Sequence, residues 1–204
     1  MKLYDGGRAP NPRRVRIFFA EKGVPLPELV PVDIGKREHK SEAFTKLNPA
    51  QRLPVLVLDD GTALAETIAI CRYVESLHPQ PPLFGRDARE QALVEMWNRR
   101  MELTYLASVA AAFRHIHPAM KEWEVPQVPE WGEVNKPKAV AFLQFMDREL
   151  ADRQFVAGDE FTVADITMFI GFQFMKPARI QCPQELTHVW RWYHDVAARP
   201  SADA

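Results

Sequence analysis

Hydrophobic positions along the chain change their period near residue 80, and this change is the first guide to its organisation. Before that point, short apolar runs alternate with helical patterns. MKLYD has the length and pattern of a strand. From Pro12 to Lys22 the residues Val15, Ile17, Phe18, Phe19 and Ala20 cluster as on a buried helix. Asn11 suits the N-cap, Pro12 the first helical position and Gly23 the stop. PELVPVDI predicts a strand over 29–34, followed by the polar stretch GKREHK and a short helix in SEAFTKLN. PVLVLDD and GTALAE predict a hairpin turning at Asp60-Gly61. ETIAICRYVESLHP predicts a helix that stops before Pro79. The order is β-α-β-α-β-β-α.

HPQPPLFGRD then breaks the pattern as a proline-rich linker. Beyond it, nearly every pattern is helical. REQALVEMWNRRMELTYLASVAAAFRHIHP predicts a long helix broken at Pro118. KEWEVPQVPEWGEV, interrupted by Pro126, Pro129 and Gly132, predicts a surface loop. In KPKAVAFLQFMDRELAD, Val140, Leu143, Met146, Asp147 and Leu150 recur at helical spacing. Two more helices are predicted within FVAGDEFTVADITMFIGFQFM and HVWRWYHDVAAR. The expected fold is an α/β N-terminal domain over 1–80, a linker over 81–88 and an all-α domain over 89–204.

Composition narrows the function classes. The chain has 204 residues, is 47% hydrophobic and 26% charged, and has a formal net charge of -1. That is the profile of a soluble globular protein large enough to hold a core without staples. Nothing in the overall charge recruits nucleic acid or an anionic membrane. No apolar run approaches the roughly 20 residues of a membrane helix, and the N-terminus is too short and polar for a signal peptide. The two cysteines, Cys71 and Cys182, lie far apart and form no CxxC, which suits a reducing cytoplasm and excludes dithiol chemistry on the chain's own thiols.

Three signals point to one kind of ligand. In LNPAQRLPVL, Pro54 stands directly before the strand residues Val55, Leu56 and Val57. A trans proline would simply open the strand, whereas a cis Leu53-Pro54 bond would leave the backbone of Leu53 to pair with an extended peptide. In AETIAI, Glu66 and Thr67 open a helix after a strand. They either cap it or provide an anion site beside a carboxylate, which matches the ammonium and carboxylate of an α-amino acid. In REHKSEAF, His39 and Lys40 belong either to a solvated loop or to a site for a second carboxylate. Separately, Thr162 and Asp165 in FTVADI form a capping pair at a helix start.

APNPRRVRIFFAEKG, EHKSEAFTKLNPAQRLPVL, ALAETIAICRYVE and FVAGDEFTVADITMF together resemble the glutathione transferase superfamily. They are most similar to the bacterial and fungal subgroup related to the second yeast glutathione transferase. The resemblance implies a thioredoxin-like first domain, a helical second domain, and glutathione as co-substrate. It places Leu53, before the family's cis-proline at Pro54, on the cysteinyl backbone of glutathione. Glu66 and Thr67 take the γ-glutamyl end, His39 and Lys40 the glycyl carboxylate, and Arg52 stands beside them with its role open. The expected activity is conjugation of glutathione to an electrophilic, mostly apolar small molecule, a detoxification chemistry. Glutathione-dependent disulfide or peroxide reduction, and a non-catalytic binding role, are the alternatives.

The family's Ser, Cys or Tyr at the sulfur is missing, with Ala9 near that position and Tyr4 on the first strand. A free thiol titrates near ~8.5, and lowering this by about two units takes ~2.7 kcal/mol. A helix N-terminus supplies ~0.3–1 kcal/mol, up to ~2 when partly buried. One hydrogen bond to the charged sulfur, at ~1.5–3 kcal/mol, closes the gap. Asn11 is the nearest donor, either as sulfur ligand or as plain N-cap, with the backbone N–H groups of Asn11, Arg13 and Arg14 as further sources. The alternative is a water held by Ser108 and His115, seven apart on one helix face. Tyr105, Phe113, Met120 and Trp123 are candidates for an apolar substrate wall. His115 and His117 have no partner at ligand spacing, so no metal is expected. Arg99 and Arg100 lie on the helix where the family commonly dimerises, and a homodimer is the expectation.

Overall fold

A computed structural model describes all residues, 1–204, and divides them into two compact units, residues 1–82 with 200–204, and residues 83–199. In the first unit, β1 (Lys2–Asp5), α1 (Pro10–Glu21), β2 (Glu28–Pro31), α2 (Glu42–Leu47), β3 (Val55–Val57), β4 (Ala63–Ala65) and α3 (Thr67–Leu77) follow in order, with a short 3-10 turn at Glu38–Lys40. The sheet order is β2-β1-β3-β4, with β1 and β2 parallel and the other pairs antiparallel. Side chains alternate across a sheet. Accordingly Tyr4, Val55, Val57 and Ala63 pack with Val32 and Phe44 of the α2 side. Leu3 and Leu56, paired in register and fully buried, point to the opposite face, and α1 and α3 pack against each other. The predicted second strand is shorter than expected and ends at Pro31.

The last five residues depart from the expected helical domain over 89–204. They form a 3-10 turn, Pro200–Asp203, that joins the first unit. Arg13 Nη2 donates to Ala202 O at 2.9 Å, and the Ser201 hydroxyl donates to the Glu21 carboxylate. These are side-chain to main-chain and loop contacts that no hydrophobic period announces.

In the second unit, α4 (Ala88–Arg99) continues through a π-helical stretch, Arg100–Leu106, into α5 (Ala107–Ile116). α6 (Pro129–Glu149), α7 (Val163–Met175) and α8 (Thr187–Ala197) complete it. α7 is buried on nearly every side and begins with the predicted capping box. The Asp165 carboxylate accepts from Thr162 N at 3.0 Å and also from Val156 N and Trp192 Nε1, at 2.8 and 2.9 Å. Burial pushes this carboxyl up to about 6, against the pull of those donors. Asp147, which recurs at helical spacing with the apolar residues of α6, caps α8 by accepting from His188 N and Val189 N at 2.9 and 3.0 Å. The stretch predicted as a loop after Lys121 turns helical at Pro129, which takes the first helical position. Gly132 does not break α6; a Cβ there would sit 2.4 Å from Ile116 Cγ1, so its bareness allows α5 and α6 to approach. No helix is long and apolar enough to cross a membrane.

Candidate active site

Sheet register brings the predicted ligand residues of the first unit to one end. Val30, Tyr4, Val55 and Ala65 form one row across β2, β1, β3 and β4. β1, β2 and β4 leave the sheet just beyond this row, and β3 enters there. Leu53 and Glu66 lie on the connections at that end, His39 and Lys40 in the 3-10 turn after β2, and Asn11 and Thr67 in the first turns of α1 and α3. Open α/β sheets bind ligands at such an edge, and the N-termini of α1 and α3 open there.

α1 starts two residues earlier than the sequence suggests. Pro10 and Pro12 both suit a first helical turn, and the chain uses Pro10 as the first position with Ala9 as N-cap. Asn11 is therefore inside the first turn and not the N-cap. This alters the donor inventory. Pro10 and Pro12 carry no N–H, and the N–H of Arg13 goes to Ala9 O at 3.3 Å. Arg14 N–H falls within the regular ladder, so Asn11 holds the one first-turn backbone donor outside it. Its exposed side chain adds an amide. The amide oxygen Oδ1 accepts from Arg14 Nη1 at 3.1 Å.

The other connections are also specialised. His39 is 5% exposed, while Lys40 and Arg52 are exposed. Burial lowers the His39 pKa, and the nearby charges of Lys40 and Arg52 lower it further, so Arg52 joins a cationic cluster. Pro54 is buried, and the Leu53–Pro54 peptide bond is cis. Leu53 lies outside the β3 ladder, which starts at Val55. Asn48, which the sequence reading did not single out, shapes the approach to it: Nδ2 donates to Arg52 O at 2.9 Å, and Oδ1 accepts from Ala50 N at 3.1 Å. An Asn before a Pro is a turn former, and that was the available signal.

Glu66 precedes α3 with φ of 69°, and its side chain makes no cap hydrogen bond. Plain capping by Glu66 is thus not its role, and its exposed carboxylate stands beside the buried Thr67. Arg37 and Gln51 also have positive φ, at 61° and 53°. Three non-glycine residues in this region therefore hold a conformation that costs of order 1–3 kcal/mol each, a pattern typical of sites that fix their backbone for a ligand.

In the second unit, Ser108 and His115 lie on one uninterrupted stretch of α5. The Ser108 hydroxyl donates to Thr104 O at 2.8 Å. His115 Nδ1 accepts from Val128 N at 3.1 Å, and its Nε2 lies 3.8 Å from Glu124 Oε1. Both side chains are therefore engaged within their own unit. Tyr105 is withdrawn from the substrate wall. It is wholly buried, stacks on Phe142, and donates its hydroxyl to Met175 Sδ at 3.0 Å. Phe113, Met120 and Trp123 retain partial exposure, with the Phe113 ring packed at a tilt against His117 and Phe174.

Comparison with known proteins identifies the arrangement. Residues 9–77 match the family described as glutathione S-transferase, N-terminal domain, and residues 130–200 match its C-terminal domain. The chain is 38% identical over 203 residues to glutathione S-transferase 2 of Saccharomyces cerevisiae, covering 98% of this chain and 87% of that protein. A glutathione S-transferase domain-containing protein from Marinobacter aquaeolei has the same fold with a TM-score of 0.95 and 40% identity, covering 98% of this chain and 99% of that one. The crystal structure of yeast Gtt2 gives a TM-score of 0.92 and 38% identity, covering 100% and 99%. A thioredoxin-like sheet whose connections converge at one end, followed by a helical unit with a capping box, thus occurs here in a chain similar to named transferases along its whole length, and the chain belongs to the glutathione S-transferase family as a glutathione transferase enzyme.

Proposed function

We propose that the protein adds the thiolate of glutathione to an electrophilic, mostly apolar small molecule, with Asn11 as the donor to sulfur. The observation that carries this reading is the removal of competing donors from the first turn of α1 by Pro10 and Pro12. One residue then offers both a backbone N–H and an amide at the positive end of a 12-residue helix. The helix end at ~0.3–1 kcal/mol, up to ~2, and one hydrogen bond to a charged sulfur at ~1.5–3 kcal/mol together reach the ~2.7 kcal/mol needed for a shift of about two units. An amide stabilises a thiolate without taking its proton, so the proton passes to solvent.

The remaining roles follow the chemistry of each connection. The cluster of His39, Lys40 and Arg52 suits the glycyl carboxylate. The main chain of Leu53, before Pro54, suits the cysteinyl backbone. Thr67 and the first N–H groups of α3 suit the γ-glutamyl carboxylate, and Glu66 its ammonium. Phe113, Met120 and Trp123 are the candidates for the apolar wall. Ser108 and His115 rank behind Asn11 as sulfur activators because their polar atoms are already engaged. Two free cysteines support a reducing, cytoplasmic setting, and exposed Leu93, Met96 and Leu103 support a homodimer.

The test is the ultraviolet thiolate absorbance of bound glutathione as a function of pH. The expected midpoint is about two units below the free value of ~8.5, with Asn11→Ala returning it most of the way and lowering kcat/KM for a model electrophile in parallel. Glu66→Ala should weaken glutathione binding at least about tenfold, the loss of one charge-assisted contact. An unshifted bound thiol would favour the non-catalytic binding role. A shifted thiol with turnover on disulfides or peroxides, and none on electrophiles, would favour the reductase alternative.

A further inference from the structure

We infer that Arg14 is a positioning residue for the thiol: it fixes which end of the Asn11 amide is presented to the sulfur. The inference rests on the proposed role of Asn11 and goes one step behind it. A guanidinium only donates hydrogen bonds. The atom that receives Arg14 Nη1 at 3.1 Å must therefore be the amide oxygen, which leaves the NH₂ group of Asn11 as the end turned away from Arg14. Without this bond an exposed asparagine can flip, and the flipped amide points a carbonyl at a thiolate, which repels it. The bond thus selects the useful rotamer from two of nearly equal shape.

Arg14 is built for this role. It is 2% exposed, although arginine is seldom buried so completely, and it sits three residues after Asn11 on the same helix face. A buried guanidinium is held by its surroundings, so it presents a fixed donor rather than a mobile one. Its neighbours in the RRVR run are committed elsewhere. Arg13 holds the carbonyls of Ala202 and Ala204, and Arg16 pairs with Asp5 and donates to Gly7 O at 3.0 Å. Three arginines on one helix thus do three separate jobs, and that of Arg14 is its bond to Asn11.

The experiment is a double-mutant cycle read by the thiol titration of bound glutathione. The variants are Arg14→Met, Arg14→Lys, Asn11→Ala and the Arg14→Met/Asn11→Ala pair. Arg14→Met is expected to raise the thiol midpoint by about half a unit or more, with a smaller change in glutathione affinity. In the Asn11→Ala background the same substitution should add nothing beyond about 0.2 unit, because there is no amide left to orient. Arg14→Lys keeps the charge and loses the fixed fork, so it should also raise the midpoint; it replaces Arg14→Met in the cycle if that variant does not fold. Additive shifts, or a normal midpoint in Arg14→Lys, would mean that Arg14 acts by its charge alone and would overturn the inference. If Asn11→Ala itself leaves the midpoint in place, the proposed role of Asn11 fails, and the inference about Arg14 falls with it. That result is distinct from an Arg14 effect that persists when Asn11 is absent.

Discussion

At the scale of single residues, the site is defined by groups held in states that they would not choose alone. His39 is the clearest. It is buried among cations, and its pKa is lowered first by burial and then by Lys40 and Arg52. In the free protein the ring is therefore neutral at pH 7. A carboxylate arriving beside it reverses part of this balance, because an adjacent negative charge favours the imidazolium. By linkage, affinity for an anionic ligand must then tighten as the pH falls through the range in which the bound ring takes up its proton. S-methylglutathione isolates this effect, since it has no thiol to ionise. Its dissociation constant, measured by calorimetry from pH 7.5 to 5, should fall by about tenfold or more, the worth of one charge-assisted hydrogen bond. His39→Gln should flatten the profile. A flat profile in the unsubstituted protein would remove His39 from the carboxylate site. The sequence singles out His39, Glu66, Thr67 and Asn11 as candidates, and the fold brings all four to one end of the sheet. Their division of labour was not legible in the sequence: two prolines both suited the start of α1, and only the backbone decides between them.

At the scale of elements, the misread stretch is the most instructive. Pro126, Pro129 and Gly132 together look like a loop, because each weakens a helix interior. α6 accommodates the last two by position, and it also contains Pro137, from the stretch whose spacing is helical. Pro129 is its first residue, where a missing N–H costs nothing, and Pro137 lies inside a 21-residue helix that is long enough to tolerate one lost bond. Gly132 is used for what it lacks, since α5 passes so close that a Cβ would meet both Ile116 Cγ1 at 2.4 Å and Cδ1 at 2.7 Å. On helix propensity alone Gly132→Ala would stabilise the exposed first turns by up to ~1 kcal/mol. The expected result is the opposite sign, a loss of about 1–3 kcal/mol from overpacking. Denaturant unfolding measures it, and Ile116→Ala should cost less in the Gly132→Ala background than alone, because the clash and the trimmed side chain occupy the same space. A stabilised Gly132→Ala protein would show that α5 and α6 separate readily. Elements whose apolar period is unbroken, such as α1, α3 and α7, were visible in the sequence. The contacts between elements, such as the close approach of α5 and α6 at Gly132 and the cap that Asp147 gives to α8, were not.

At the scale of the whole molecule, the change of hydrophobic period near residue 80 coincides with a change from sheet to helices, while the return of residues 200–204 to the first unit left no trace in the pattern. One feature of the second unit remains uncovered by its own chain. Leu93, Met96 and Leu103 are 39%, 37% and 65% exposed along α4 and its π-helical continuation. Single exposed apolar residues need no explanation, but three on one helical rod point to a partner. Arg99, by contrast, is satisfied locally by Glu95 at 2.9 Å and Glu102 at 3.8 Å, and Arg100 lies over the ring of Trp97. If a second copy covers the rod, the leucines supply the association energy and Arg99 only its rim. Sedimentation equilibrium should then give a dimer at micromolar concentration. Leu103→Glu should weaken it at least about a hundredfold, a cost near 3 kcal/mol for placing a charge in an apolar contact. Arg99→Ala should leave the dimer intact. Unchanged circular dichroism and thiol titration in Leu103→Glu would show that the second unit and the sulfur site survive as a monomer. Were the unsubstituted protein monomeric at that concentration, or Arg99→Ala the disruptive change, the apolar rod would lose its assignment as the dimer contact.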